Sequence, residues 1–564
     1  MLRRRTVLKA LTMLGAGTVS FRRALSAQVA DAGKVTPEMV RQAEWIAGLE
    51  LTDDERKRVA KEALESLHYC QALREVAVGY DVPPAIQFNP APGLLPAQGV
   101  RRNRIKLDGP THVARPGSDE ELAFLTVAEL SRLLRGRQVT SVELTKLYLS
   151  RLKRFDPLLK CVATLTEELA LKQAARADAE IAAGAYRGPL HGIPWGAKDL
   201  IAYPGYPTGW GAPPFRDQVL KEKATVAARL DEAGAVLVAK LSLGALAMGD
   251  RWYGGKTRSP WDPRRGSSGS SAGSASAVAA GLVGFAIGSE TLGSIVSPSR
   301  ACGATGLRPT FGRVSRHGCM ALAWTMDKIG PIARSVEDCA LVFDAIHGHD
   351  GLDPTAIDQP FTWPAPRPLE GLKVGYLADP ARQFEKREEL RVLQALGFEL
   401  VPSELPGDLP FEAITIMLTV EAAAAFDDLT RRHITEGLNS WPDTFLQGQF
   451  VPAVEYLRAA RVRTLLMRKM AQVMERVDLY VGSGPDLVIT NLTGHPSVAL
   501  PGSFHDINGR PGPRSIVLTG RLYGESTLLA VAHAYQQATR NHNGRPPLER
   551  FLADEPASET APPA

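Results

Sequence analysis

The sequence has few cysteines: Cys70, Cys161, Cys302, Cys319 and Cys339 in 564 residues. They are odd in number, widely spaced and without histidines at metal-ligand spacing, so neither a disulfide framework nor a zinc site is expected. No apolar run approaches about eighteen residues, so no internal segment is read as a membrane span. The glycine-rich part of the chain is not followed by Gly-Lys-Ser/Thr and has no strand-then-helix G-x-G-x-x-G context, which removes phosphate binding. What remains is an ordinary globular composition, 44% hydrophobic and 23% charged. The chain is longer than one core usually supports, so a large domain with appendages, or two domains, is expected.

Residues 1–27 stand apart. Arg4-Arg5-Thr6-Val7-Leu8-Lys9 precedes the weakly apolar ALTMLGAGTVSF, and Leu25-Ser26-Ala27 ends in a small residue suited to cleavage. Basic, apolar and small-residue regions occur in the order of a twin-arginine export signal, so a periplasmic location is expected. Removing the segment deletes six cations and no acid, taking the formal charge from +5 to −1. Charge then gives no reason to expect a nucleic-acid partner.

Residues 35–80 read as helical. Thr52-Asp53-Asp54-Glu55 is a capping box, and Ala60, Ala63, Leu64, Leu67, Cys70 and Leu73 form one apolar stripe. Two such helices bury too little to fold alone, so they must lie on the main domain. Residues 81–122, rich in proline, glycine and arginine, read as an extended wrapping linker. From 123 to 552 helices alternate with short Val/Leu/Ala strands, which indicates an α/β fold with a mixed sheet; residues 553–564 read as a disordered tail.

Within that domain, residues 265–313 are crowded with glycine, serine and alanine. SASAVAAGLVGFAIG reads as a buried small-residue helix leading into an apolar strand, with serine-bearing turns at both ends. Upstream, Lys198 lies in GIPWGAKDLI, where desolvation would favour a neutral amine. Taken alone, it reads first as a salt-bridged structural lysine. Gly269-Ser270-Ser271-Ala272-Gly273 also fits G-x-S-x-G, with Ser271 as nucleophile and His317, His347, His349 or His495 as base. That elbow must follow a strand, and WDPRRGSS does not read as one.

GIPWGAKDL, GSSGSSAGSASAVAAGL and GSETLGSIVSPSRACGATGLRPTFGRVSRHG occur in this order, with MDKIGPIARSVED and TNLTGHPSVALPG after them. Together they resemble the amidase signature family over roughly residues 123 to 545. The resemblance implies a central mixed twisted sheet covered by helices on both faces, and a Ser-Ser-Lys triad that cleaves carboxamides. Carried over, Ser294 is the nucleophile, Ser270 the bridging serine held by a cis peptide bond after Gly269, and Lys198 the base. The backbone N–H groups of Thr291, Leu292, Gly293 and Ser294 would form the oxyanion hole. Helices in 410–475 would cover the active-site mouth. The segment from EWIAGLELTDD to VPPA resembles the small C subunit of the tRNA-dependent glutamyl/aspartyl amidotransferase.

Two positions depart from the family pattern. Leu292 stands where the family commonly has a glycine, and a side chain resists positive φ. Val296 stands where many members have an arginine, with Arg300 a few residues on as a compensating candidate. The resulting expectation is an exported amidase acting on a small-molecule amide, needing no metal or cofactor and no stable membrane insertion. A homodimer is left open. The alternatives are a non-catalytic binding protein on the same fold and a glutamine-dependent tRNA amidotransferase A-like subunit.

Overall fold

The structure, a computed structural model, describes residues 35–78, 85–86, 105, 107, 113–365, 368–378, 386–482, 484, 486–506 and 511–554. The export signal expected at 1–27, most of the 81–122 linker and nearly all of the 553–564 tail lie outside the described residues.

Two helices open the described chain, α1 (Pro37–Ala43) and α2 (Asp53–Glu75). The capping box is present: Glu55 N–H donates to Thr52 Oγ1, and Thr52 N–H donates to the Glu55 carboxylate at 2.7 Å. The α2 stripe is buried at its ends, Ala60 and Cys70 to Leu73, while Ala63, Leu64 and Leu67 are half-buried. The reason is that α2 meets the body in two places. Val59 and Ala60 pack with Leu446, whereas Cys70 and Leu73 join a cluster containing Ile414, Met417 and Ala460.

Eleven strands form one mixed sheet: β1 (Val162–Leu165), β2 (Pro194–Lys198), β3 (Val236–Leu241), β4 (Phe285–Glu290), β5 (Thr305–Arg308), β6 (Lys328–Ala333), β7 (Lys373–Leu377), β8 (Glu399–Ser403), β9 (Leu479–Val481), β10 (Ser497–Asp506) and β11 (Pro511–Gly520). Their order across the sheet is β1-β3-β2-β4-β6-β5-β10-β11-β9-β7-β8. Parallel pairs join β3 to β2 and β2 to β4, and the β9-β7-β8 edge is parallel as well.

Both faces of the sheet carry a core. Leu237, Phe285 and Ile287 belong to one apolar cluster, while their strand neighbours Val236, Val238 and Ala286 belong to another. Successive strand residues point to opposite faces, so this alternation means that neither face is left to water. The small-residue stretch contains helix α3 (Ala272–Ala279), every residue of which is buried. A Cβ on Gly273 would lie 2.4 Å from the Cys161 carbonyl oxygen and 2.6 Å from Ser242 N, so α3 touches the strand ends backbone to backbone.

After β4 comes the short helix α4 (Val296–Cys302). Further on, α5 (Ile416–Ala425), α6 (Trp441–Gln449) and α7 (Ala453–Arg476) form the layer on which α2 rests. One reading is corrected: within WDPRRGSS, Asp262–Gly266 is a strand, paired antiparallel with Arg258–Ser259 outside the main sheet. With one partner and exposed Arg264 and Arg265, it has none of the apolar alternation that marks a strand in sequence.

Candidate active site

Lys198 ends β2, and Ser289 and Glu290 end its parallel neighbour β4, so the register delivers all three to the same edge of the sheet. The carboxyl ends of parallel strands are where open α/β sheets place ligand sites. The Gly269–Ser270 peptide bond is cis, and Ser271 sits at the start of α3. A Cβ on Gly269 would lie 1.9 Å from the Gly249 carbonyl oxygen, so only glycine fits beside that serine.

Lys198 is fully buried. Its Nζ lies 2.8 Å from Ser270 Oγ, 3.0 Å from Ser271 Oγ and 2.8 Å from Ser289 Oγ, with the Ser289 carbonyl oxygen at 3.3 Å. No carboxylate forms an ion pair with it among the described residues. The salt-bridged structural lysine is instead Lys240, whose Nζ lies 2.8 Å from the Asp199 carboxylate, both buried. Burial lowers the Lys198 pKa to about 7, against the opposing pull of Asp327 and Glu290. A neutral amine has two N–H groups and one lone pair, so it can accept from a hydroxyl.

Which hydroxyl can donate follows from the other bonds. Ser271 O–H donates to the Ser289 carbonyl oxygen at 3.0 Å and receives the Ser289 N–H at 3.2 Å, so its one proton is committed. Ser270 Oγ and Ser289 Oγ each have only Lys198 as a partner among the described residues, so both protons are free to move, and Ser270 is the one that the motif pattern makes the bridging serine. None of His317, His347, His349 and His495 bonds to Ser271; His495 is buried against Thr493, with its pKa pushed down to about 3 by burial. Ser271 therefore has neither the exposure nor the base of an elbow nucleophile.

Ser294 lies in the turn between β4 and α4. Its carbonyl oxygen accepts the Ser271 N–H at 3.0 Å, whereas no hydrogen bond links its Oγ to Ser270 among the described residues. The structure thus joins Lys198 to Ser270 directly and Ser294 to that pair only through backbone. The amides of Thr291, Leu292, Gly293 and Ser294 donate to no protein acceptor among the described residues, leaving four consecutive N–H groups unpaired beside the serine.

The turn is held by residues that sequence reading missed. The buried Glu290 carboxylate accepts the N–H groups of Ile295 and Val296 at 2.8 and 2.9 Å, the Arg308 guanidinium at 2.7 Å and the Asn491 amide at 2.8 Å. Burial pushes its pKa up, but Arg308, Lys328 and the backbone donors prevail and hold it at about 2. Asp327 accepts Thr291 O–H at 2.6 Å, and Lys328 Nζ reaches the Thr291 carbonyl oxygen at 3.4 Å. The signal for these was present as charged residues inside otherwise apolar strand segments, where burial demands a partner.

The two departures resolve separately. Gly293 takes the left-handed φ of 87°, whereas Leu292 keeps a negative φ and packs beside the cluster under α7. The conformational demand therefore falls on the glycine that is present. Val296 is buried with Ala499 and Val517, while Arg300 is exposed and lines a different cavity, with Lys386 and Arg514. It does not replace the missing arginine.

A cavity of about 870 Å³ opens at this edge of the sheet, with Ser289, Thr291 and Leu200 on its wall; Lys198, Ser270 and Ser294 are not themselves on it. Val420, Glu421 and Ala424 of α5 and Tyr456, Arg463 and Met467 of α7 complete it, as expected of helices in 410–475. Ile86 reaches the same wall, where the Ala85 N–H donates to the Ala460 carbonyl oxygen at 3.1 Å.

A family model described as Amidase matches residues 143–485. The chain belongs to the amidase signature family. Among curated relatives it is 35% identical to the A subunit of the glutamyl-tRNA(Gln) amidotransferase of Moorella thermoacetica, over 76% of this chain and 99% of the relative. The A subunit of the corresponding enzyme from Coxiella burnetii (strain Dugway 5J108-111) is 33% identical, over 75% and 99%. Among solved structures, the peptide amidase from Stenotrophomonas maltophilia superposes with a TM-score of 0.65 at 29% identity, over 75% of this chain and 98% of the other. An amidase family protein from Bacillus anthracis gives 0.68 at 25% identity, over 76% and 93%. Family membership and the mixed sheet are therefore as the sequence motifs implied, and the chain is an amidase signature enzyme.

Proposed function

We propose that the chain hydrolyses the C–N bond of a carboxamide by way of an acyl-enzyme on Ser294. The observation that carries this reading is a buried Lys198, free of any ion pair among the described residues, hydrogen-bonded to a serine whose proton is uncommitted. Ser294 Oγ attacks the carbonyl carbon while its proton passes to Ser270 and the Ser270 proton to Lys198. No hydrogen bond joins the Ser294 hydroxyl to Ser270 among the described residues, and such contacts often tighten only when substrate is bound. The developing oxyanion is received by the amides of residues 291–294, each donor contributing about 3 to 4 kcal/mol in the transition state. The protonated Lys198 then returns its proton through Ser270 to the leaving nitrogen, the C–N bond breaks, and water activated by the same relay releases the acid. These steps call on no metal or cofactor.

The names of the curated relatives favour a second reading, a transamidase subunit that passes ammonia to a partner acting on charged tRNA. The α1–α2 segment, which resembles a small partner subunit, is compatible with it. The twin-arginine pattern of residues 1–27, read as an export signal, and the near-zero charge of the remainder weigh against it, because tRNA binding favours basic surfaces.

The test is to incubate the purified full chain, without partners, with primary amides, aryl amides and peptide amides, beside Ser294→Ala. Ammonia or amine release by the wild type alone is the expected result. Equal release by both proteins rejects the Ser294 assignment, and release only on adding a tRNA-linked partner selects the transamidase. For export, Arg4-Arg5→Lys-Lys should retain the precursor inside the cell; unchanged export would remove the twin-arginine reading.

A further inference from the structure

The cavity beside the amide row has the size of a small-molecule site, about 870 Å³. Its charged side chains are engaged by the protein itself. Arg316 donates to Asp353 at 2.9 Å and to Thr355 Oγ1 at 2.7 Å. Glu421 receives Thr325 N–H, Thr325 O–H and Tyr456 O–H at 2.9, 2.6 and 3.0 Å. Arg463 donates to the carbonyl oxygens of Thr325 and Leu492, and Asp327 holds Thr291 together with the Leu322 and Ala323 amides. Burial keeps Cys319 a thiol, its pKa pushed up to about 12. Among the described residues, the Cys319 thiol and the His317 ring are the titratable side chains on this wall without a side-chain hydrogen bond. What faces the opening is apolar: Trp324 is 48% exposed, Leu352 59% and Met467 38%.

We infer that the substrate of this site is an amide whose non-reacting part is uncharged and apolar, and that zwitterionic amino-acid amides such as free glutamine are rejected. The inference rests on the hydrolase reading above and narrows it. A zwitterion entering this cavity would leave water with both charges, and the Asp327, Glu421 and Arg463 side chains it meets already hold hydrogen bonds to the protein's own hydroxyls, amides and carbonyls, which it would have to displace. An aryl or alkyl chain would instead cover Trp324, Leu352 and Met467.

The experiment compares ammonia release from 4-phenylbutanamide, L-glutamine and succinamate by the full chain, with Ser294→Ala as control. The neutral amide should exceed glutamine in kcat/KM by about 100-fold or more. Leu352→Arg, which sets an unpaired cation at the exposed rim, should shift the succinamate to 4-phenylbutanamide ratio by about tenfold toward the anion. Glutamine turnover equal to or above that of the neutral amide, and abolished in Ser294→Ala, overturns the apolar inference while leaving the serine mechanism standing. Absence of Ser294-dependent release from all three amides brings down both.

Discussion

The Ser271 N–H donates to the carbonyl oxygen of Ser294 at 3.0 Å, so two turns far apart in sequence are fixed to each other backbone to backbone. Ser270 and Ser294, one on each turn, therefore share a frame that does not depend on their own hydroxyls. Ser270→Ala removes the mobile proton and leaves that frame intact, so kcat should fall by about 10²- to 10⁴-fold with an unchanged melting temperature. Ser271→Ala should do the reverse. It removes the side-chain acceptor of the Ser289 N–H and one of the two side-chain donors to the Ser289 carbonyl, and about 1–3 kcal/mol of stability should be lost in a urea titration.

The pH profile follows from Lys198. Its neutral form accepts the proton, and burial brings its pKa to about 7, so kcat/KM should rise through about pH 7 and level off above. Two pH units below that point, activity should stand about 100-fold under the plateau. Stability has the same sign. The folded pKa lies below the ordinary 10.5 of a lysine, so the unfolded chain binds more protons between about pH 7 and 10.5. Stability should rise across that window, and the burial of Lys198 is most costly below it. Lys198→Met should flatten the rise, measured by urea unfolding at several pH values.

Glu290 and Arg308 are both fully buried, 2.7 Å apart. Glu290→Gln leaves the guanidinium without its counter-charge and misplaces the Ile295 and Val296 amides. A loss of about 3–5 kcal/mol is expected. Equilibrium unfolding checks it, and a loss under about 1 kcal/mol would show that the pair does not hold the turn.

The turn before Ser294 separates two neighbours by backbone geometry. Gly293→Ala puts a side chain at a φ of 87° and a Cβ 2.8 Å from Leu487 Cδ2, so the amide row must shift. The expected fall in kcat is about 10²-fold, the cost of displacing one oxyanion donor. Leu292→Gly should change kcat by less than about threefold, because Leu292 already holds a φ open to any residue. A large gain in that variant would mean that leucine does impair the oxyanion hole.

The fold was legible where local pattern and burial agree. The α2 capping box, the all-buried α3 and the apolar β4 follow from capping chemistry, side-chain size and run length. The neighbourhood of Lys198 and the serines was legible only through motif order. Nothing local in GIPWGAKDL says that Asp199 pairs with Lys240 and leaves Lys198 alone, because that choice is made by the strand register. The Glu290–Arg308–Asn491 cluster was illegible for the same reason: its members meet from β4, β5 and the helix Asp486–Leu492. Asp262–Gly266 was missed because a short exposed ladder needs no apolar alternation.

Ile86 borders the cavity that opens beside Thr291, and Arg74 of α2 is paired at 2.9 Å with the buried Glu455 of α7. The stretch of wall made by Ala85 and Ile86 belongs to the same polypeptide as the serines. Its effective concentration at the cavity is set by a covalent tether rather than by how much protein is in solution. A cavity closed by a separately encoded subunit would lose that wall on dilution. Here specific activity per molecule should stay constant as the enzyme is diluted, because no part of that wall can dissociate from the site it borders.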